Sequence, residues 1–579
     1  MNQNSPLRVR RWLAAGVGVA LLAGAGALDL ANRGLAWEAL WSVTGEEAPL
    51  AQVRGVVEWL GSFIRSQPRT DALAPIAHVG MSPYGINTFL EQEVEVAKRD
   101  QQVQMIADAG FAWVRQEFPW EDIEIHGRGD FTDRRNDLDG DGAIDSIDAW
   151  VKYDHIVDVV EAYGLRLQVR LSNPPAWTHA NPEIGEKAPP DDVQDFVNFA
   201  AAVASRYRGR IHHYQVWNEP NIYPEWGNQP VDPEAYTDML CRTYRALKEI
   251  DPEIVVISAA LAPTINLTEQ NLSDLIFLER MYAAGAGECF DVLSTQGYGF
   301  FSGPTDRRMR PTTLTFSHHL YIRDIMVANG DAAKPIWLAE AAWNAQPEDP
   351  ALVTSQYGNF GIVTPDEAAR YMPLAYARAQ QEWPWLGVIN YWFFKRAGDS
   401  ERNQAFYYFR MVEPDFTPLP IYDAMRAHIA AEQPILYIGT HQEDHRFMHY
   451  SADAVPVDDR DAQFGRAMET MTLALAARGT EVSLRWYGAE ALLVSADGGE
   501  PRSLGALPDA PAWQTSTISL GLFAQTQALA FSSAAPFRVD SITIADHTPP
   551  RMIFGGGALA AAGLAGWLLF RRWRGNHHG

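Results

Sequence analysis

The sequence predicts a (β/α)8 barrel followed by a C-terminal β-sandwich, with an apolar helix near each end of the chain. Three observations carry this. Between residues 78 and 430, eight short apolar, β-rich runs alternate with helical patterns. From about residue 431 to 548 helical stretches thin out and short alternating strands take their place. Uncharged apolar runs lie close to both termini. The 579 residues suffice for one large domain and a smaller one, and a hydrophobic content of 47% supplies their cores.

In residues 1–30, Arg8, Arg10 and Arg11 precede an uncharged run over 12–28, the pattern of a signal peptide or a signal anchor. Small residues at Ala23, Ala25 and Ala27 would suit a peptidase. Residues 31–77 read as a linker with one helical piece over 50–64 and a polar end, SQPRTDA. The barrel strands are SPYGIN (82–87), AWVR (112–115), RLQVRL (166–171), IHHYQVW (211–217), EIVVIS (253–258), FDVLSTQ (290–296), PIWLAE (335–340) and GVINYWF (387–393). Near-continuous apolar runs suit parallel strands covered on both faces. The helix before the fourth strand shows one apolar stripe, Val193, Phe196, Val197, Ala200 and Ala204.

The sandwich strands include EVSLRWYG, AEALLVSA, TSTISLGL, ALAFSS and FRVDSITIA, separated by turn signals such as DGGEP. Trp486 and Tyr487 are adjacent, so they face opposite sides and one belongs to the core. In residues 549–579 a second uncharged run over 553–570 is followed by Arg571, Arg572 and Arg574, the pattern of a C-terminal transmembrane helix with a basic tail. Arginines flank the outer end of each run. By the positive-inside rule both termini face the cytoplasm, and the chain between them lies outside the cell membrane.

A formal net charge of −25 excludes a nucleic-acid partner, because phosphate binding needs a basic face. Part of the 19 tryptophans belongs to the core, but sugar-binding clefts also use tryptophan faces, since C–H-rich sugar rings stack on flat apolar surfaces. Cys241 and Cys289 allow one disulfide or two buried thiols, and thiols are the favoured reading.

In a barrel of this kind the C-terminal strand ends line the active site. Glu219, in QVWNEPNIYPEW, follows the fourth strand, and Glu340, in PIWLAEAAWN, ends the seventh. They would face each other across the mouth. Two carboxylates flanking a bond are what glycoside hydrolysis needs: one protonated to assist the leaving oxygen, one ionised to attack the anomeric carbon. Glu225 reads as a loop acid only. His212 and His213 point to opposite faces of one strand and read as packing residues.

The pentapeptide Trp217-Asn218-Glu219-Pro220-Asn221 resembles the signature that follows the fourth strand in retaining glycoside hydrolases of clan A, family 39 among them. Trp337-Leu338-Ala339-Glu340 resembles their seventh-strand nucleophile segment. The likeness covers residues 80–430. It implies that Glu219 is the general acid/base, Glu340 the nucleophile, and Asn218 a ligand of the sugar 2-OH. It implies further that Arg115 sits beside the nucleophile, that Tyr298 hydrogen-bonds it, and that Trp392 floors the sugar subsite. One residue departs from the pattern: the sixth strand ends Gln296-Gly297-Tyr298 where the family commonly has histidine, so Gln296 can donate a hydrogen bond but carries no proton at neutral pH. Trp343 and Trp177, with Trp120, Trp150 and Trp226, lie on or near loops at the same mouth, and some of them, not all, are expected to stack on sugars.

The implied activity is double-displacement cleavage of β-glycosidic bonds in a polysaccharide or glycoconjugate near the envelope, with no organic cofactor. The layout is similar to membrane-anchored hydrolases of exopolysaccharide biosynthesis. Two rival readings are a transglycosidase using the same residues and a non-catalytic glycan-binding component of a membrane assembly. The sandwich resembles accessory domains appended to such barrels and reads as a buttress.

Independently, residues 137–148 read DLDGDGAIDSID, with acids at loop positions 1, 3, 5, 9 and 12 and Gly142 at position 6. This is the spacing of an EF-hand-type calcium loop. Asp137, Asp139, Asp141, Asp145 and Asp148 would supply side-chain oxygens and Ala143 a backbone carbonyl. Aspartate at position 12 resembles the dockerin variant. The expected role of Ca2+ is structural, pinning a long insertion beside the cleft.

Overall fold

The computed structural model describes residues 24–137, 141–347, 349, 351–352, 360–504 and 510–548. It divides into two compact units between Glu432 and Gln433. In the first, eight parallel strands form a barrel: β1 (Tyr84–Thr88), β2 (Trp113–Pro119), β3 (Arg166–Ser172), β4 (His213–Val216), β5 (Val255–Ile257), β6 (Leu293–Gln296), β7 (Ile336–Ala341) and β8 (Leu386–Tyr391). The hydrogen-bonded order is β5-β4-β3-β2-β1-β8-β7-β6. Parallel bridges Ile257–Val292 and Leu261–Thr295 link β5 to β6 and close the ring. All eight runs expected as strands contribute one.

The surrounding helices bury the stripe that their sequences carry. Val193–Arg206 starts at Asp192, whose side chain accepts from Gln194 N–H, and it buries Phe196, Val197, Ala200 and Ala204. Pro365–Glu382 opens with a capping box between Thr364 and Glu367.

The barrel interior has two layers. At the N-terminal strand ends, Trp113, Val255, Ile257, Val292, Trp337 and Val388 form an apolar plug. His213 is stacked against Trp337 at 5.5 Å and meets Trp113 edge-on at 4.8 Å, a packing role that burial enforces by pushing its pKa down to about 3. Above the plug the inward residues turn polar: Asn87, Arg115, Gln168, Gln215, Asn390 and Glu340 are all buried. Gly85 has to be small, since a Cβ there would lie 2.1 Å from the Asn390 amide oxygen.

Residues ahead of the barrel differ from the expected linker with one helical piece. They form a pair of helices, α1 (Leu35–Thr44) and α2 (Pro49–Ser62). The pair docks on the loop that follows β6. Gly303 N–H donates to Gly45 C=O at 2.8 Å, and Arg308 pairs with Glu46 at 2.7 Å and with Glu58 at 3.1 Å. Among the described residues no helix is long and apolar enough to cross a membrane. The run over 553–570, and all of the run over 12–28 except its last five residues, lie outside the described residues.

The second unit is strand-rich, but its strands do not form two separate sheets as a sandwich would. They join one ten-stranded network. The cause is a single 21-residue strand, β11 (Gln525–Ala545), which pairs with β9 (Arg466–Gly479) and with β10 (Glu481–Gly488). A register shift opposite Asp540 switches the inward side from Phe537 and Val539 to Ile542 and Ile544. Along β10, Val482, Leu484 and Trp486 are buried, so Trp486 is the core member of the Trp486–Tyr487 pair.

Cys241 and Cys289 form a disulfide, contrary to the expected thiols. The helix Pro233–Ile250 and the turn Ala286–Glu288 pack together and bring the two Cα atoms to 4.7 Å, within bridging range, across 48 residues of sequence. Replacing both cysteines by serine is expected to destabilise the protein by about 2–4 kcal/mol in urea unfolding. Unchanged unfolding, together with two free thiols in the native chain, would contradict the bridge.

Candidate active site

Side chains alternate between the two faces of a regular strand. The candidate site depends on two departures from that rule. In β4, Tyr214 and Val216 face the outer core, and Gln215 faces inward. Trp217 should then face inward too. Its φ of +72° turns it instead against Phe196 and Trp226 in the outer core. Glu219 also has a positive φ, +42°. Such angles are uncommon outside glycine and collect at functional sites. The outcome is that consecutive residues Asn218 and Glu219 both reach the barrel mouth.

β7 contains the second departure. Thr295 pairs with Leu338, but the next residue, Gln296, pairs with Glu340, so Ala339 is skipped. Leu338 packs outward and Glu340 is swung inward.

Arg115, from β2, joins these strand ends. Its Nε donates to Gln215 Oε1 at 2.9 Å, one Nη to Asn87 Oδ1 at 2.6 Å and to Glu340 Oε1 at 3.2 Å, and the other to Asn218 Oδ1 at 3.1 Å. Burial pushes its pKa down to about 10, with Glu340 opposing, so the guanidinium stays charged at neutral pH. The second oxygen of Glu340 accepts from Tyr298 O–H at 2.7 Å. Burial and the Glu340 charge hold that phenol well above its ordinary range.

Glu219 has different surroundings. Its Oε1 accepts from Gln296 Nε2 at 2.9 Å, and no arginine is bonded to it among the described residues. Burial first, then the charges of Glu340 and Glu225, raise its pKa well above the usual carboxylate range; Gln296 and Lys187 oppose the shift. Glu340 is therefore held by a guanidinium and a phenol, while Glu219, desolvated and bonded by an amide, is poised to hold a proton.

Glu225 is more than a loop acid. It pairs with Lys187 at 2.5 Å, and its backbone carbonyl accepts from Trp217 Nε1 at 2.9 Å. On the adjoining side Glu117 pairs with Arg170 and accepts from Ser172 at 2.6 Å. Sequence reading missed Asn87, Gln168, Gln215, Asn390, Glu117 and Arg170. The available signal was a polar residue at an inward position of an otherwise apolar run.

The tryptophans divide. Trp120, Trp150, Trp226 and Trp343 are buried, and the Trp343 indole N–H donates to Ser302 C=O at 2.8 Å. These four are packing rings, not sugar platforms. Trp177 is half-buried and donates to Glu124 C=O at 2.8 Å. Trp392 is half-buried beside Phe89 at 5.5 Å.

In the acidic loop, Gly142 has φ +89° and its N–H donates to Asp137 Oδ2 at 2.8 Å. Ala143 N–H donates to Asp141 Oδ1 at 2.8 Å, and Asp148 Oδ1 accepts from Trp150 N–H at 3.0 Å. Asp139 lies outside the described residues. Among those described, no group of three or more acidic, histidine or cysteine side chains converges as a metal site.

No family model matches the chain, and no curated protein matches it in sequence. Among solved structures it is similar to a family 39 glycoside hydrolase from Bacteroides cellulosilyticus WH2, at 16% identity over 80% of this chain and 83% of that one, TM-score 0.45. It is also similar to a monomeric beta-xylosidase from Caulobacter crescentus CB15 (15% identity, 83% and 97% covered, TM-score 0.43). A third is a family 39 enzyme from Xanthomonas axonopodis pv. citri (17% identity, 84% and 99% covered, TM-score 0.43).

Arg115→Met would take a donor from four buried acceptors, of which Gln215 Oε1 keeps Gln168 Nε2, and a loss of about 3–5 kcal/mol is expected. Tyr298→Phe removes one donor, and about 1–3 kcal/mol is expected. Urea unfolding followed by tryptophan fluorescence ranks the two; equal or negligible losses would contradict the central place given to Arg115.

Proposed function

We propose that this chain is a retaining glycoside hydrolase. The observation that carries the reading is the contrast between two neighbouring carboxylates: Glu340 bonded by Arg115 and Tyr298, Glu219 desolvated and, among the described residues, bonded only by a neutral amide. Pairs of carboxyls whose environments push their proton affinities apart suit acid and nucleophile roles. Glu340 attacks the anomeric carbon while Glu219 gives its proton to the departing glycosidic oxygen. A glycosyl ester on Glu340 results. Glu219, now ionised, takes a proton from water, whose oxygen attacks the same carbon and releases Glu340. Asn218 has its Oδ1 held by Arg115, which leaves its N–H groups to donate to a sugar hydroxyl.

The half-buried Trp392 is the sugar platform in this reading. The substrate is a β-linked polysaccharide or glycoconjugate. The barrel acts outside the cytoplasm, anchored by the runs over 12–28 and 553–570, with the C-terminus cytoplasmic. Two features support that placement: the arginines on the outer end of each run, and a disulfide, which persists in oxidising compartments. No organic cofactor is required. We also assign a structural Ca2+ to residues 137–148; the acid spacing and the Asp137–Gly142 turn support it.

A screen of aryl β-glycosides and glycans should find a turned-over substrate, with Glu340→Gln reducing it to background. Glu219→Gln should cost about 10²–10⁴-fold on poor leaving groups and much less on activated ones. Turnover that survives Glu340→Gln would contradict the reading. The proton needed for departure is held below the raised pKa of Glu219 and lost as pH rises through it. The alkaline limb of kcat should therefore lie well above the ordinary carboxylate range. Gln296→Leu removes a bond that favours the ionised form, so it should move that limb upward; a downward move would contradict the assignment. For the loop, a chelator should lower the melting temperature, and Asp137→Ala should abolish that sensitivity. A melting temperature that no chelator moves would count against calcium.

A further inference from the structure

Helix α2 breaks the usual rule for a surface helix, which keeps its outer face polar. Its inner face meets the turn after α1 through Gln52 and the loop after β6 through Glu58 and Ser62. Gln52 Nε2 donates to Glu46 C=O at 2.9 Å, Glu58 pairs with Arg308 and Arg310, and Ser62 Oγ accepts from Met309 N–H at 3.2 Å. The opposite face holds Leu50, Val53, Val57 and Leu60, a stripe about 80° wide at 3.6 residues per turn. These side chains are exposed, from 51% for Val53 and Leu60 to 74% for Leu50. The following turn extends the stripe with Phe63 and Ile64, the latter 90% exposed. Six large apolar groups in one row exceed scattered surface leucines and mark a binding face.

Two further observations select its occupant. The first is position in the chain: the uncharged run over 12–28 ends seven residues before Leu35, where the helix pair begins. Whatever holds that run also holds α2 close by. The second is charge. In a chain of net charge −25, the only acid between residues 49 and 64 is Glu58, and it is turned inward onto two arginines; Arg54 is exposed beside the apolar row. A face with apolar side chains, a basic edge and no outward carboxylate suits the headgroup region of an anionic bilayer.

We propose that α2 lies in the surface of the phospholipid bilayer, apolar row inward, as a second contact beyond the terminal spans. This rests on the membrane anchoring proposed above and adds an orientation to it. Because α1 and α2 dock on the loop after β6, which also leads from Tyr298, the contact sets the distance and tilt of the barrel mouth relative to the lipid. The substrate class this favours is a glycan carried at the membrane surface.

The test uses the full-length chain reconstituted in vesicles of phosphatidylcholine and phosphatidylglycerol, with acyl chains brominated or not. Single labels are placed by Ala20→Cys, Val57→Cys and Glu253→Cys, each carrying a thiol-reactive fluorophore. Glu253 is exposed and precedes β5, at the opposite end of the barrel from the docked helices. The proposal expects bromolipid quenching at positions 20 and 57 and none at 253. Quenching at 20 with an unquenched label at 57 overturns the proposal and leaves anchoring intact. Quenching at neither overturns both. A label at 57 shielded from aqueous iodide yet unquenched by bromolipid overturns it in favour of a protein partner on that face.

Discussion

Arg115 is the interaction on which the rest of the site depends. A guanidinium buried inside a barrel is tolerated only when its donors are satisfied, because an unpaired charge there costs several kcal/mol. Here its donors reach Asn87 on β1, Gln215 and Asn218 at β4, and Glu340 on β7. Three of these acceptors are themselves tied down, Glu340 by the Tyr298 phenol. Asn87 donates to Ala339 and Tyr391 carbonyls, and Gln215 donates to the Trp217 carbonyl. Asn390 extends the layer to Gln168 at 3.1 Å. The irregular ends of β4 and β7 are thus held by the same cation that contacts one of the two carboxylates.

That arrangement separates two chemically identical side chains. Glu340 shares the guanidinium and a phenol; Glu219 has an amide, a low-dielectric surrounding and two nearby negative charges. Neither residue type nor strand position makes this distinction. Burial and the surrounding charges do, and Glu225 with its partner Lys187 is a part of those surroundings that lies outside the strand-end motifs.

Much of this was legible in the sequence. Eight apolar runs gave eight strands because parallel strands covered on both faces carry short, near-continuous apolar runs. Glu219 and Glu340 came together because one follows and the other lies at the C-terminal end of a barrel strand. What escaped was of three kinds. The turn at Trp217 and the skipped Ala339 are backbone irregularities that period-2 reading cannot show, and they decide which neighbours face inward. The buried state of Trp343 and Trp226 depends on what packs against each ring, so a loop position alone mistook packing residues for platforms. Pairing across long separations was the third: the disulfide between Cys241 and Cys289, the docking of α1 and α2, and the single long strand that merges the second unit into one network all depend on partners far along the chain.

The proposed reaction requires that Glu340 become covalently bonded to sugar while Glu219 handles the proton. The most direct measurement is intact-mass and peptide analysis of the protein treated with an activated 2-deoxy-2-fluoro β-glycoside, whose fluorine slows release of the glycosyl enzyme. One sugar on the peptide carrying Glu340, absent from Glu340→Gln, is the predicted result. A protein that binds glycans but acquires no label from any activated glycoside, or acquires it elsewhere, would contradict the account.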